Sequence, residues 1–493
     1  MSCGINRVML LNPANTMPKD SVRRLATPLG FLYIGTVLKN AGYDVKILDS
    51  TCEGYYNTRI DGNYLTYGLS DEEVTARIRE YAPDIVGITS MFTAHQRNAI
   101  RHCELVKSVD RNIPVVIGGI HPSLTPEKTI KENSVDYVIL GEGEYRFLHL
   151  IGDLNKGKDE FEFDGIAYKK GGQIKINPMT TRIENLDELP IPDRSLVDIE
   201  KYIRIGVPYA PFPRRERVEQ IMASRGCPGK CVFCSTVAYW GKKFRTRSVD
   251  NIIKEVEELV NKYGIEEIQF LDDNLTANKG RIKELFRRLK KYNLSWCTPH
   301  GLMTKTIDDE MIDLMADSGA YQITFAIESG SKRVLEEIIH KDVPPREHVR
   351  KLVESCHNKG IQVHGLFVVG FPGEKRSELE ETLNYPFGVG FDSISIFIAN
   401  PVPGSELYAQ CKKKGYLDEE KYQGDFKSAD IRIPPDSPEY MMPLEELVEI
   451  VDGATKKYNE FSKNINPGAW DAKFKQFLSK HGDKADLLLG RVT

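Results

Sequence analysis

The 493-residue chain contains no apolar run approaching the ~18 residues that a membrane span requires, so no membrane association is expected. Excess positive charge is also lacking. Its 67 Lys and Arg stand against 71 Asp and Glu, for a formal net charge of −4. That balance argues against a nucleic-acid partner or an anionic-lipid surface. Nine cysteines are an odd set, scattered except for one triplet, and they form no disulfide framework. The chain is therefore expected in a reducing cytoplasmic compartment. The first residues run straight into a short strand pattern, so no secretory signal is expected. The first strand–helix turn, Leu11-Asn12-Pro13-Ala14-Asn15, has no glycine, and a dinucleotide fingerprint is absent. There is no internal repeat and no low-complexity tract.

What is present is core. Hydrophobic residues make up 41% of the chain, enough for two to four domains. Between residues 7 and 155, five short apolar runs (Val8–Leu11, Val45–Leu48, Ile85–Ile88, Val115–Gly118 and Tyr137–Leu140) alternate with helical stretches such as 31–40 and 70–81. Five strands with helical crossovers predict an α/β domain with a doubly wound parallel sheet over 1–155. Ligands of such sheets bind beyond the carboxyl ends of the strands. Those ends carry Asp49 to Gly54, Thr89-Ser90, Gly118-Gly119 and Gly141-Glu142-Gly143-Glu144. Their small residues leave room for a large ligand.

Residues 156–217 read as a hairpin around Lys170-Gly171-Gly172, followed by a stiff linker, Leu189-Pro190-Ile191-Pro192-Asp193. From 218 to 405 the alternation resumes as six strand–helix units, a (β/α)6 partial or closed barrel whose chemistry sits at the strands' carboxyl ends. Residues 406–493 turn helical and charged, over Leu444 to Ser462 and Ala472 to Lys480.

The first barrel strand runs into Arg225-Gly226-Cys227-Pro228-Gly229-Lys230-Cys231-Val232-Phe233-Cys234. Three thiolates on one loop can hold three irons of a [4Fe–4S] cluster and leave the fourth open to a substrate or cofactor. A structural zinc would need a fourth ligand from far along the chain, because no histidine lies between His149 and His300. Further barrel tips carry Asp272-Asp273, Glu328-Ser329-Gly330 and Val369-Gly370-Phe371-Pro372-Gly373-Glu374. Carboxylates there can pair with an ammonium or ribose hydroxyls, and Asp272 or Glu328 can equally be a helix cap.

The cysteine loop, with its aromatic before the third thiol, resembles that of the radical S-adenosylmethionine (SAM) enzymes. The resemblance implies that Cys227, Cys231 and Cys234 hold the cluster, and that Asp272, Asp273, Glu328, Ser329, Gly330 and Gly370 line SAM. The N-terminal sheet resembles the cobalamin-binding domain of the cobalamin-dependent radical SAM enzymes. Asp49, Thr51, Gly54, Thr89, Ser90, Gly118, Gly119, Gly141, Glu142, Gly143 and Glu144 are then its cobalamin contacts. Related cobalamin domains carry Asp-x-His-x-x-Gly, and this chain keeps Asp49 and Gly54 but has Thr51 at the histidine position. A lower axial imidazole is therefore not expected. The stretch from Leu48 to Asn57 is similar to the corresponding part of the fosfomycin-pathway phosphonate methylases.

Together these resemblances imply a methyltransferase of an anaerobic setting. It moves methyl from SAM, by way of cobalamin, to an unactivated carbon of a small molecule, with an electron donor such as flavodoxin or ferredoxin. An anaerobic cyclase or ring rearrangement with the same cofactors is the alternative. A methylthiotransferase, with a second cluster drawn from Cys3, Cys52 and Cys103, fits less well. Arg214-Arg215-Glu216-Arg217 can meet an anionic substrate or be a solvated face. Tyr239, His300 and His364 are weaker candidates near the cavity.

Overall fold

The computed structural model describes residues 4–19, 21–210, 212–418 and 431–465. The chain parts into two compact units between Ile205 and Gly206. The expected helix at 472–480 and Cys3 lie outside the described residues.

The first unit is built on a seven-stranded sheet. Its strands are β1 (Arg7–Asn12), β2 (Asp44–Asp49), β3 (Ile85–Thr89), β4 (Val115–Gly118), β5 (Tyr137–Ile139), β6 (Ile166–Lys170) and β7 (Gln173–Asn177), in the order β7-β6-β5-β4-β3-β1-β2. β1 to β5 are parallel, in the doubly wound 2-1-3-4-5 order. Val8, Met9, Leu10 and Leu11 have no exposed surface, as expected of a strand covered on both faces. The helices declare themselves locally. Ser70 and Glu73 form a capping box before Asp71–Tyr81, which buries Val74 and Ile78 one turn apart.

The hairpin does not stand apart. β6 pairs antiparallel with β5 and β7 with β6, so it extends the sheet. The Pro-rich segment after it is also docked. The Asp193 amide donates to Thr36 Oγ1 and its carboxylate pairs with Lys39, both on the helix Leu29–Asn40. A small antiparallel sheet of Asn15–Pro18, Thr58–Asp61 and Tyr64–Tyr67 sits after the first strand tip.

The second unit holds six parallel strands in chain order: β8 (Val218–Ile221), β9 (Glu267–Phe270), β10 (Ser295–Cys297), β11 (Ala320–Glu328), β12 (Gln362–Val369) and β13 (Ser393–Ile398). This is the expected (β/α)6 arrangement, with β8 and β13 at its ends. The helix Val249–Tyr263 shows why the pattern folds this way. Ser248 caps it by accepting from the Asn251 amide, Gly264 ends it in the left-handed region, and Ile252, Ile253, Val256 and Leu259 face the core. Each such aliphatic burial stabilises by about 1.5–3 kcal/mol and the cap by about 1 kcal/mol. The C-terminal helix Leu444–Ile465 buries Leu447 and Val451 against Val369 and Ile398.

Candidate functional site

The cysteine loop leaves the carboxyl end of β8. Its base is closed by a two-residue antiparallel ladder, Ser224–Arg225 on Arg245–Thr246. Gly226 follows at φ +87°, and a side chain there would press on the Lys243 carbonyl and the Trp240 Cβ. Val232 locks the far side, donating its amide to the Ile339 carbonyl and accepting from the Leu407 amide, both at 2.9 Å. Phe233, the aromatic before the third cysteine, packs on Phe371 with ring centroids 5.8 Å apart.

The thiols themselves stay accessible to a metal. Cys227 and Cys231 are half-buried and Cys234 is exposed. The Gly229 amide points at Cys227 Sγ (3.4 Å), and the Thr236 amide at Cys234 Sγ (3.5 Å). A Cβ at Gly229 would lie 3.3 Å from the Cys227 sulfur and 3.8 Å from the Cys231 sulfur, so only glycine keeps that hollow open. Although Cys234 is exposed as a whole residue, desolvation of the sulfurs raises all three thiols, Cys231 to about 12. Iron binding must therefore displace their protons. Three thiols on one loop, with amides aimed at two of the sulfurs, are a donor set that suits a [4Fe–4S] cluster.

The two acids after β9 brace this loop. Asp272 is 3% exposed, accepts from the Ala223 amide (3.0 Å), and forms a very short bond with the Ser224 hydroxyl. Asp273 accepts from the Gly226 amide and the Trp240 side chain, while burial and Asp272 lift its carboxyl to about 6. Both were expected at SAM; the structure uses them to fix the chain on either side of Arg225.

The remaining tips show the same habit. Glu328 ends β11 at φ +70°, just past a bulge, and pairs with Lys341 at 2.7 Å, both side chains under a tenth exposed. The Ser329 hydroxyl meets Thr382 Oγ1 (2.9 Å), and the Gly330 amide donates to the same oxygen (3.0 Å). A Cβ at Gly330 would strike the Glu381 carbonyl, and one at Gly370 would strike Leu447. These glycines thus admit the protein's own chain rather than open space. Among the described residues two polar atoms on these tips, Asn274 Nδ2 and Glu374 Oε1, are buried without a hydrogen bond. Glu374 Oε2 accepts from the Gly370 and Phe371 amides, and burial lifts this carboxyl to about 7. Such orphaned donors and acceptors at the strand tips suit the polar groups of SAM. Sequence reasoning singled out neither residue as a site candidate, and Lys341 it missed.

In the first unit the tip of β2 is closed on itself. Asp49, 4% exposed, accepts from Asn12 Nδ2 (3.0 Å), the Cys52 amide (3.1 Å) and the Tyr202 hydroxyl (2.6 Å). Burial nonetheless raises its carboxyl above the ordinary value. The Thr51 hydroxyl donates to the Pro13 carbonyl at 2.8 Å, so the residue at the histidine position is fully engaged within the fold. Gly54 fits because a Cβ there would collide with Gly68 and Leu69 backbone. Gly119 packs on the Ser90 carbonyl, Gly141 on Met179, and Gly143 on Ile34. Glu142 accepts from the Ile183 amide (2.8 Å), and Glu144 is buried. Beside them, Gly118 and Thr89 are partly exposed, a Cβ at Gly118 would meet only the Ile139 carbonyl at an ordinary 3.6 Å, and Met91 and Phe92 present exposed apolar surface. An apolar, small-residue sheet end of this kind fits a corrin ring.

Other candidates fall elsewhere. Arg214 and Arg215 donate their amides to Glu267, which opens β9, so this run sits at the amino end of the barrel strands. His364 is held by the Ser393 and Ser395 hydroxyls at 2.7 and 3.1 Å. The His300 ring lies edge-on to Tyr209, and Tyr239 packs on Trp240. Cys52 and Cys103 are buried singly, one on the short helix after β2 and the other within Gln96–Val109.

Comparison with known proteins agrees with this reading. Residues 221–385 match the radical SAM superfamily and residues 19–151 the B12 binding domain. The chain is 38% identical over 460 residues to a cytidylyl-2-hydroxyethylphosphonate methyltransferase of Streptomyces wedmorensis, covering 87% of this chain and 86% of the relative. An anaerobic magnesium-protoporphyrin IX monomethyl ester cyclase of Rubrivivax gelatinosus is more distant, at 27% over 84% and 72%. In fold, the chain is similar to the radical SAM methyltransferase TsrM of Kitasatospora setae, solved with cobalamin and a [4Fe–4S] cluster (TM-score 0.67, 19% identity, 83% and 78% covered). With a three-thiol loop at one sheet and a B12-binding sheet before it, the chain belongs to the cobalamin-dependent radical SAM methyltransferases, whose cofactors are a [4Fe–4S] cluster, SAM and cobalamin.

Proposed function

We propose that this methyltransferase acts on an unactivated carbon of a small phosphonate-bearing molecule. The observation that carries the substrate class is the near-full-length similarity to the Streptomyces phosphonate methyltransferase. The residue run Asp49-Ser50-Thr51-Cys52-Glu53-Gly54 supports it.

Cys227, Cys231 and Cys234 would hold the cluster. Asn274 and Glu374 would receive polar groups of SAM, with the Glu328–Lys341 pair beside the thiols. Thr89, Ser90, Gly118 and Gly119, flanked by Met91 and Phe92, would seat the corrin. Bound there, the cofactors supply reductive cleavage of SAM and methyl transfer. The protein's own contribution is positional: Asp272 and Asp273 fix the approach to Cys227, and Thr51 keeps its hydroxyl on Pro13. A small acidic electron carrier of the flavodoxin or ferredoxin kind would deliver electrons, in an anaerobic cytoplasm. Among the described residues no helix is long and apolar enough to cross a membrane.

The test is anaerobic reconstitution with iron, sulfide and cobalamin, followed by turnover with methyl-deuterated SAM and a panel of phosphonates. The expected product is a phosphonate carrying the labelled methyl on carbon. Formation of 5′-deoxyadenosine with no label in any product would move the assignment to the cyclase-type reading. Label appearing only on non-phosphonate substrates would retain the methyl transfer and refute the substrate class.

A further inference from the structure

Arg23 lies in the first unit, between the strand Asn15–Pro18 and the helix Leu29–Asn40, and is 1% exposed. Its guanidinium sits over the Tyr67 ring, 5.8 Å from the centroid, and Tyr67 meets Tyr55 edge-on at 5.5 Å. The Tyr55 hydroxyl donates to the Arg23 carbonyl (3.2 Å) and the Tyr67 hydroxyl to the Arg24 carbonyl (2.9 Å). The phenol hydroxyls are thus spent on backbone carbonyls rather than on the guanidinium. Among the described residues neither Nη1 nor Nη2 of Arg23 has a hydrogen-bond partner, although both are buried.

A buried cation with an unpaired planar fork is costly unless something neutralises it. The guanidinium cannot shed its proton, and its geometry matches two oxygens of a carboxylate or phosphate. The location also points to a ligand. The Arg23 segment follows the tip of β1, and Tyr55 follows the helix Ser50–Glu53 at the tip of β2. Ligands of a doubly wound sheet gather at those carboxyl ends.

We infer that Arg23 receives a phosphorus oxyanion in a bidentate grip at the carboxyl ends of β1 and β2. Two sources share that chemistry: the phosphodiester in the nucleotide loop of cobalamin, and the phosphonate or phosphate of a substrate. The cofactor source is independent of the substrate reading above, whereas the substrate source rests on it.

The full chain and its Arg23→Met and Arg23→Lys variants are titrated with cobalamin, with cobinamide, which lacks the phosphodiester, and with methylphosphonate. Bound corrinoid is followed by dialysis and absorbance, and ligand-free melting is recorded alongside. Arg23→Met is expected to melt at or above the wild-type temperature without ligand, since it removes an unpaired buried charge. If the cofactor supplies the oxyanion, this variant loses tenfold or more in cobalamin affinity while cobinamide affinity holds. If the substrate supplies it, corrinoid affinities hold and the melting upshift with methylphosphonate disappears. Arg23→Lys keeps the charge without the fork and should show the same selective loss in weaker form. Unchanged binding of all three probes in Arg23→Lys overturns the inference. So does an Arg23→Met chain that melts lower or fails to fold while Arg23→Lys binds as wild type, because Arg23 would then be a structural residue.

Discussion

The two sheet ends treat their loops in opposite ways. At the end of β8, polar side chains bind the chain on both sides of the cysteines and leave the sulfurs themselves available. Asp272 holds Ala223 and Ser224, Asp273 holds Gly226 and Trp240, and Val232 is tied to Ile339 and Leu407. At the end of β2, the loop gives nothing to a metal. Asp49 is occupied by Asn12, Cys52 and Tyr202, and Thr51 by Pro13. In the reading proposed above, the first end would supply ligands to iron, whereas the β2 tip is closed on itself and would leave the metal to the corrin. The difference shows that a strand tip rich in polar residues is not by that fact a ligand shell. What matters is which polar atoms the fold leaves unclaimed.

The most severe way to break the contrast is Cys227→Ala. Cluster iron and 5′-deoxyadenosine formation should fall to background, whereas cobalamin uptake, a property of the other unit, should persist; iron analysis and corrinoid binding on one sample read both. Next is Asp272→Ala, which strands a buried amide and hydroxyl and should cost about 3 kcal/mol. Its chemical-denaturation midpoint should drop together with its cluster content, and a drop in stability with full cluster loading would deny the brace its role.

Glu374 sharpens the comparison through pH. Its carboxyl is lifted by burial from an ordinary 4.5 to about 7, so folding favours the protonated form. That contribution is complete below about pH 4.5 and is lost as pH rises through 7. Glu374→Gln should therefore flatten the pH dependence of melting between those values, and an unchanged slope would count against the assignment. The smallest effect belongs to Thr51→Val. Losing one buried hydrogen bond should cost about 1 kcal/mol, while the absorbance of bound cobalamin stays as in the wild type; a spectral change would mean the hydroxyl reaches the corrin after all.

Much of this was legible in the sequence, for physical reasons. Runs such as Val8–Leu11 can only be strands buried on both faces, and the C-x3-C-x2-C spacing is fixed by covalent chain length. The (β/α)6 repeat showed in the alternation of apolar runs and amphipathic helices. The hairpin was visible too, but not its destination beside β5, because five-residue strands carry no mark of their partner. Nor could the proline-rich segment reveal that Asp193 would dock on Thr36 and Lys39. The side-chain partners at the site were not legible. Asp272, Asp273 and Gly330 lie at strand ends, and their partners (Ser224, Trp240 and Thr382) come from distant parts of the chain. Glu328 and Lys341 are 13 residues apart across a strand end, beyond any local periodicity.

That last pair has a consequence for engineering. A side chain held in the left-handed region costs about 1–2 kcal/mol, and glycine would relieve it at position 328. Glycine there would also leave the Lys341 ammonium buried and alone, a larger penalty of about 3–5 kcal/mol. Single-site selection for heat resistance should therefore keep Glu328. A library varying both positions should instead return Glu328→Gly with Lys341→Met, chains that melt higher. If the pair lies beside the thiols as proposed above, those chains should also turn over more slowly, so that heat resistance and reactivity would trade off at one peptide unit.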